Sequence, residues 1–235
     1  MEEKVELMSP SYRIAHGLNL ILYSLLILTG LVLFSIEAFS WLAYLLGVTL
    51  TPLIPNTDPV TIGVQISRSW HRFLGFIWGI LVIIYPLYLL LFGRIKVLSP
   101  LKKPIKQQLR EMKALIKRYV LGEPLPNDVA ENIERHNVLV SYTVIILIIS
   151  SVLIWISGLL MAFKDSLGLT IDQFRTALLL HDIGFGLGIL YILLHVFAVF
   201  SPLNRQLLIA MFRDGYVSLE WVKGHMPSYI RRSRG

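Results

Sequence analysis

Four apolar stretches, each of more than about 20 residues, restrict the folds that are open to this chain. A backbone inside a bilayer satisfies its own hydrogen bonds only as a helix or as a closed barrel. About 20 residues of helix cross the hydrocarbon core. The sequence therefore predicts an all-α fold, an integral membrane four-helix bundle. The predicted spans cover about 14–36, 70–92, 138–163 and 177–200.

The composition is typical of a membrane protein. Hydrophobic residues make up 55% of the 235 positions and charged residues only 16%, whereas a soluble domain is about 45–50% apolar and about 25% charged. The sequence contains no cysteine, which excludes disulfides, thiolate-held zinc or iron–sulfur sites and cysteine nucleophiles. We expect a single domain over 1–235, with 201–235 as a cytoplasmic tail, in the cell (cytoplasmic) membrane and without a nucleic-acid partner.

Two shorter segments lie between the spans. The apolar stretch 39–50 has only about a dozen residues, too few to cross a bilayer, so it predicts an interfacial helix that ends in the turn-rich segment 51–59. Within 93–137, apolar residues recur at helical spacing among lysines and arginines. This basic segment either lies on anionic headgroups of the inner leaflet or forms a connecting helix in solvent. Its apolar residues are Ile105, Leu109, Met112, Ile116 and Tyr119.

The distribution of lysine and arginine predicts that both termini face the cytoplasm, because cytoplasmic loops carry an excess of these residues. The loops assigned to the outer side offer little beyond Arg68, Lys164 and Arg175. Between the second and third spans the basic residues are Arg94, Lys96, Lys102, Lys103, Lys106, Arg110, Lys113, Lys117, Arg118 and Arg135. In the tail they are Arg205, Arg213, Lys223, Arg231, Arg232 and Arg234.

Four histidines lie near the ends of the predicted spans. His181 and His195 are fourteen residues apart on the fourth span, so both project from one helix face and are separated by roughly 21 Å along the axis. That distance is most of the thickness of a hydrocarbon core. In the predicted orientation, His71 lies level with His181 toward the outer surface, and His16 lies level with His195 toward the cytoplasm. Depth therefore predicts the pairs His71 with His181 and His16 with His195.

These pairs predict two haem groups. Ionisable residues inside a membrane are costly, so four of them at two matched depths indicate a function; a hydrogen-bonded packing role is the alternative for each one. Two neutral imidazoles from facing helices are a natural axial pair for a haem iron. The absence of cysteine, and the scarcity of Asp and Glu at these depths, argue against zinc or a carboxylate-bridged metal. The hypothesis is two bis-histidine haem b groups stacked across the membrane.

Other residues would complete the haem sites. Arg13, Arg68 and Arg72 lie close to the histidines in sequence and are candidate partners of the haem propionates, although arginine at a helix end is also an ordinary interface anchor. Glycines near the histidines would give a flat macrocycle room beside the backbone, or would serve helix packing alone. These glycines are Gly75, Gly79, Gly184, Gly186 and Gly188.

The stretches that carry the histidines resemble a known family. They cover 13–16, 65–75 and 178–181, with His195 at the same fourteen-residue interval. They are similar to the gamma subunit of membrane-bound formate dehydrogenases, within the wider group of four-helix di-haem cytochromes b that also serves nickel–iron hydrogenases and thiosulfate reductases. The tail is similar to the gamma subunit's C-terminal pattern at Gly215, Val217, Ser218, Trp221, Lys223, His225 and Pro227.

The resemblance implies an electron-transfer role. It implies that His71 and His181 ligate an outer haem b, and that His16 and His195 ligate an inner one. Electrons would pass between an iron–sulfur partner subunit on the outer side and a quinone near the cytoplasmic surface. A separate molybdenum or tungsten subunit would carry out the catalysis. The chain itself has no nucleophile–base set and no phosphate-binding loop, so it would carry no substrate chemistry.

The resemblance also implies a quinone site at the start of the third span. The family has an asparagine, a glycine and a glutamine there. Asn137 matches the asparagine, but Leu139 and Val140 stand at the other two positions. His136 is a candidate substitute donor, and a surface role beside Arg135 is its alternative. We predict a quinone site at Asn137, His136 and His195 that departs from the family's pattern: either the site is remodelled, or it accepts a different quinone.

Two other functions stay open from the sequence. The same cytochrome could serve a hydrogenase or a sulfur-compound reductase, and only the tail pattern favours formate dehydrogenase. A small transporter or proton channel could instead use the intramembrane histidines as a relay. A relay requires polar residues along its path, whereas the residues between His181 and His195 are almost all apolar after Asp182.

Overall fold

A computed structural model describes residues 3–54, 56–92 and 96–233. Pro55 of the turn-rich segment 51–59 and the basic residues Arg94 and Arg234 lie outside these ranges. The helices are α1 Pro10–Phe34, α2 Ile36–Val48, α3 Pro59–Leu91, α4 Ile105–Leu121, α5 Asn127–Ala130, α6 Val138–Ala162, α7 Ile171–Phe200, α8 Arg205–Phe212, α9 Leu219–His225 and α10 Pro227–Ser233. The strands are β1 Lys4–Glu6 and β2 Tyr216–Ser218.

The predicted all-α fold with four membrane-length helices is confirmed. The helices α1, α3, α6 and α7 are long and apolar enough to cross a bilayer. Many of their large apolar side chains are exposed, including Ile14, Phe76, Ile149 and Leu193. A soluble monomer rarely exposes apolar patches of this extent, so these surfaces suit a lipid environment. The helix predicted over 39–50 is also present, as α2.

Three of the long helices begin earlier than their apolar residues predict, because capping residues precede them. α1 begins at Pro10, and the preceding residue, Ser9, caps it: Ser9 Oγ accepts a hydrogen bond from the Tyr12 amide. α3 begins at Pro59 and not near Trp70, since Asp58 Oδ2 accepts the Thr61 amide at 2.9 Å. Proline is favoured at the first helical position in both cases.

The fourth long helix, α7, begins at Ile171 and not near Ala177. Thr170 Oγ1 accepts the amide of Gln173, and Gln173 Oε1 accepts the amide of Thr170. This reciprocal pair is a capping box. Its polar residues fall below the apolar threshold of a span, which is why hydropathy alone misses this turn of the helix.

The chain divides into two compact units, of which one comprises 14–85 and 154–181. Leu26, Leu74 and Trp78 form a buried cluster there, with Tyr23 and Trp155 packed against it. Trp78 Nε1 donates to Asn19 Oδ1 at 2.8 Å, so the indole keeps a hydrogen-bond partner inside the apolar cluster. Gly79 gives room to the Trp155 ring, so its small size already serves packing.

In the same unit, α2 and the first turns of α3 pack backbone against backbone. A Cβ at Gly63 would overlap the carbonyl group of Ala43, and a Cβ at Gly47 would overlap the carbonyl group of Pro59. Ala43 and Val32 are fully buried beside this contact. Only glycine permits so close an approach between two helices.

We expect Gly63→Ala to destabilise the protein by about 3 kcal/mol or more, because an extra methyl group forces two backbones apart. The thermal unfolding midpoint in detergent measures the effect. Gly186→Ala is the matched control, since nothing lies within 4 Å of a Cβ at that exposed helical position. An equal midpoint for the two variants would contradict the close packing of α2 on α3.

The other unit comprises 1–13, 86–153 and 182–235. β1 and β2 pair antiparallel, with Val5 opposite Val217. This small sheet covers a buried cluster of Leu7, Ala210, Val217, Val222 and Met226. These strands were not among the predicted elements, because each has only three residues and their partners lie about 200 positions apart in the chain.

The basic segment between the second and third spans contains α4, which turns a polar face inward. Gln108, Glu111 and Leu115 are buried, while Ile105, Leu109 and Ile116 of the predicted apolar stripe are exposed. The Glu111 carboxylate accepts a hydrogen bond from the Val138 amide at 2.9 Å and forms an ion pair with Lys103 at 2.6 Å. Glu111 thus links α4 to Val138, the first residue of α6. The exposed apolar residues of α4 agree with the prediction that this segment lies on the inner leaflet.

Candidate functional site

The structure brings two of the predicted histidines together. His71 lies on α3 and His181 on α7, and both are half-buried. Their ring centroids are 6.1 Å apart, with an angle of 71° between the ring planes. At this separation no direct hydrogen bond links the two rings.

Each imidazole is held by a hydroxyl group from a neighbouring helix. Thr29 Oγ1 on α1 lies 3.0 Å from His71 Nδ1. Ser157 Oγ on α6 lies 3.0 Å from His181 Nδ1. Both imidazoles are thus held at the same ring atom, Nδ1.

A glycine follows each of these hydroxyl residues. A Cβ at Gly30 would lie 3.1 Å from His71 Cε1, and a Cβ at Gly158 would lie 3.4 Å from His181 Cε1. The first distance is shorter than ordinary van der Waals contact, and the second is at its limit. Each imidazole therefore rests on the bare backbone of the helix that supplies its hydroxyl partner.

The predicted inner pair falls in different units. His16 belongs to the unit with 14–85, and His195 belongs to the unit with 182–235. Both imidazoles are half-buried. The His195 ring stacks on Tyr191 of the same helix, with centroids 5.5 Å apart and planes 14° from parallel. Ligation of a second haem by His16 and His195 stays a prediction.

The three predicted propionate partners differ in their surroundings. Arg68 and Arg72 are exposed on α3, four residues apart and so on one helix face. Arg13 Nη2 instead donates to the Arg213 carbonyl at 2.9 Å, which fastens the start of α1 to the tail. A role for these guanidinium groups at haem propionates stays a prediction.

Comparison with known families identifies the chain. The family described as prokaryotic cytochrome b561 matches residues 7–214. The chain belongs to the prokaryotic cytochrome b561 family. No curated protein matches it significantly. The family comprises membrane cytochrome b subunits of the hydrogenase and formate dehydrogenase type, so this protein is a multi-pass membrane haem b electron-transfer subunit that associates with redox partner subunits.

The imidazole pair of this cytochrome fits a haem iron. Imidazole nitrogens bind first-row metals at about 2 Å, which places the centres of two rings on opposite sides of one metal about 6 Å apart. The observed distance between the His71 and His181 rings is 6.1 Å. Imidazole is also an axial ligand typical of haem iron. Within the described ranges, no group of three or more His, Asp or Glu could hold another metal ion.

A partly open cavity of about 100 Å³ lies beside the predicted quinone residue Asn137. Asn137 Oδ1 accepts the Val140 amide at 3.0 Å, which leaves the side-chain amide nitrogen as a donor. His225 also lines the cavity; its ring stacks on Trp221 at 4.3 Å, and its Nδ1 donates to the Trp221 carbonyl at 2.9 Å. The cavity thus offers a donor from Asn137 and an acceptor at His225 Nε2.

Two other predicted quinone residues, His136 and His195, do not line this cavity, and their roles stay predictions. The pKa of His136 is lowered to about 4, chiefly by burial and also by the positive charge of Arg135, while Glu134 opposes the shift. Burial likewise lowers the pKa of His225. Both imidazoles are therefore neutral near pH 7 and can accept a hydrogen bond.

We expect His136 to make the protein less stable in acid. Its pKa is about 4 when folded and 6.5 as the ordinary value, so unfolding takes up a proton between these pH values and becomes more favourable as pH falls. The free energy of unfolding therefore falls by about 2 kcal/mol between pH 7 and pH 5. The thermal midpoint at both pH values measures it. His136→Gln should show a smaller pH dependence than wild type, and an unchanged dependence would contradict the assignment.

Thr29 and Ser157 were not among the predicted site residues, because a hydroxyl in a membrane helix is usually bonded to its own backbone. A signal was nevertheless present. Thr29 and Ser157 are each followed by glycine inside a long apolar span, in the stretches LTGL and ISGL. A hydroxyl residue followed by glycine thus recurs on the two helices that contact His71 and His181.

Proposed function

We propose that this cytochrome is the membrane-anchoring di-haem subunit of a formate dehydrogenase type complex. His71 and His181 ligate the outer haem b, and His16 and His195 ligate the inner one. Electrons pass between an iron–sulfur subunit of the complex and the membrane quinone pool. Both termini lie in the cytoplasm, and the whole chain of 1–235 acts as one electron-transfer domain.

The observation that carries this proposal is the facing pair of imidazoles. His71 and His181 are 6.1 Å apart at their ring centroids, and each Nδ1 has a hydroxyl partner at 3.0 Å. The hydroxyl contacts at Nδ1 orient both rings, and in this proposal the Nε2 atoms serve as the haem ligands. A haem b held there supplies reversible one-electron transfer.

The cavity beside Asn137 supports a quinone site. A quinone presents two carbonyl acceptors, and its reduction adds two protons. The side-chain nitrogen of Asn137 can donate to a quinone oxygen, and His225 Nε2 can accept from a quinol hydroxyl. Trp221, Leu115 and Leu207 add apolar surface to the lining. Here the tail contributes His225 and Trp221 to the side of the cavity, which compensates for the missing glycine and glutamine.

The choice of formate dehydrogenase rests on the resemblance of the tail. Several residues of that pattern fold the tail itself: Gly215 has a φ of +86°, Val217 is buried, and Ser218 caps α9. A hydrogenase or a sulfur-compound reductase is the alternative partner, and the family match supports it equally. The family match does not support a histidine-relay transporter.

Isolation of the native complex tests the proposal. The complex is purified from membranes through a tag on this chain, and the haem is oxidised and then exposed separately to formate, hydrogen and a quinol analogue. We expect formate and the quinol to reduce a b-type haem, as seen in reduced-minus-oxidised spectra. Reduction by hydrogen but not by formate would show that the catalytic partner is a hydrogenase and not a formate dehydrogenase. The absence of a b-type spectrum would overturn the proposal.

A further inference from the structure

The hydroxyl groups of Thr29 and Ser157 determine which nitrogen of each imidazole carries the proton. A hydroxyl has one hydrogen to donate. Thr29 Oγ1 donates it to the Leu25 carbonyl at 2.8 Å, so toward His71 it can only accept. His71 Nδ1 therefore carries a hydrogen, and the lone pair lies on Nε2.

The same reasoning applies on the other side of the pair. Ser157 Oγ donates to the Ile154 carbonyl at 3.2 Å, and it lies 3.0 Å from His181 Nδ1. His181 Nδ1 is then also the protonated nitrogen. Two different helices, α1 and α6, thus impose one tautomer on two histidines that lie on α3 and α7.

The glycines next to the hydroxyls leave room for the edges of the rings. His71 Cε1 would lie 3.1 Å from a Cβ at Gly30, and His181 Cε1 would lie 3.4 Å from a Cβ at Gly158. A side chain at Gly30 would press on the edge of the His71 ring, whereas one at Gly158 would just reach van der Waals contact with His181. Glycine thus lets each imidazole lie close to the helix that supplies its hydroxyl partner.

We propose that Thr29 and Ser157 are positioning residues that fix the tautomer and plane of His71 and His181 and thereby tune the outer haem b. This inference rests on the proposed ligation of haem by these two histidines. Partners of the second ring nitrogen orient a metal-bound histidine and raise its basicity. A more basic ligand stabilises the oxidised, more positive iron, so each hydroxyl lowers the reduction potential.

The test removes each hydroxyl with little change of volume, in Thr29→Val and Ser157→Ala. Thr29→Ser retains a hydroxyl and is the conservative variant. Thr143→Val is the matched control, because Thr143 Oγ1 also donates to the carbonyl four residues earlier, at 2.8 Å, but has no imidazole partner in the described contacts. Haem content, redox titration of the b-type absorbance and low-temperature electron paramagnetic resonance are measured for the intact protein.

We expect Thr29→Val and Ser157→Ala each to raise the potential of one haem step and to shift the resonance of that haem. Thr29→Ser and Thr143→Val should match wild type. The proposal would also be supported if Thr29→Val loses haem while Thr29→Ser, which retains the hydroxyl, keeps it. Unchanged potentials and resonances in both hydroxyl variants, with full haem content, would overturn it.

One more comparison separates this proposal from the proposed function. If His71→Ala and His181→Ala lose haem but the hydroxyl variants behave as wild type, only the positioning role is wrong. If the histidine variants keep their haem, ligation by His71 and His181 is wrong, and the positioning role falls with it. Gly30→Ala adds an independent probe: it retains the Thr29 hydroxyl but presses on the His71 ring, so it should shift the resonance of the same haem.

Discussion

Replacing either His71 or His181 with alanine is expected to lower the haem content of the purified protein by about half, because both imidazoles would ligate the same one of two haems. The double variant should lose no more haem than either single variant, since residues that act at one site are not additive. The ratio of haem to protein, from the absorbance of the extracted haem, measures the effect. The remaining haem should still be reducible by dithionite.

Two further histidines provide controls for this experiment. His225→Ala removes an imidazole that stacks on Trp221 with centroids 4.3 Å apart, and it should leave the haem content unchanged. His136→Ala should do the same. If His71→Ala loses haem and His181→Ala does not, the pairing of the two rings as trans ligands is contradicted, despite their separation of 6.1 Å.

The proximity of His71 and His181 could be predicted because two simple regularities apply to them. The length of an apolar helix sets depth in a membrane, and helical periodicity sets the face on which a side chain lies. Neither regularity depends on the contacts of a particular side chain. Sequence alone therefore indicated that His71 and His181 lie level, and the structure places their rings side by side.

The partners of these histidines could not be predicted in the same way. Thr29 and Ser157 are two of many hydroxyl residues in the spans, and the bond from each to its own backbone is common to such residues. Only the three-dimensional packing shows which hydroxyls also contact an imidazole. The same holds for Arg13, whose bond to the Arg213 carbonyl joins residues 200 positions apart.

The ends of the helices show a different limit. Hydropathy located the centres of α3 and α7, but the polar first turns of both helices are stabilised by caps at Asp58 and Thr170. Capping acts through one or two hydrogen bonds and does not depend on apolar character. A search for capping residues before each apolar stretch would have moved both predicted starts toward Pro59 and Ile171.

Replacing Glu111 with alanine is expected to destabilise the protein by about 3–5 kcal/mol, because it leaves the largely buried Lys103 ammonium without its ionic partner. The Glu111 carboxylate pairs with Lys103 at 2.6 Å, and their side chains are only 6% and 17% exposed. The other carboxylate oxygen accepts the Val138 amide at the start of α6. A loss of this size would lower the thermal midpoint by about 10 °C in a chain of this length.

A matched control and two further variants separate the two roles of Glu111. Glu123 pairs with Lys117 at 2.9 Å, but both side chains are nearly half exposed, so Glu123→Ala should cost less than about 1 kcal/mol. Glu111→Gln keeps an oxygen for the Val138 amide but lacks the charge, and it should fall between wild type and alanine. Lys103→Met combined with Glu111→Leu removes both charges and should recover part of the stability lost in Glu111→Ala.

The part of the stability that this double variant does not recover measures the unsatisfied Val138 amide, which would cost about 1–3 kcal/mol. If Glu111→Ala unfolds at the same temperature as Glu123→Ala, the buried ion pair does not hold α4 against α6.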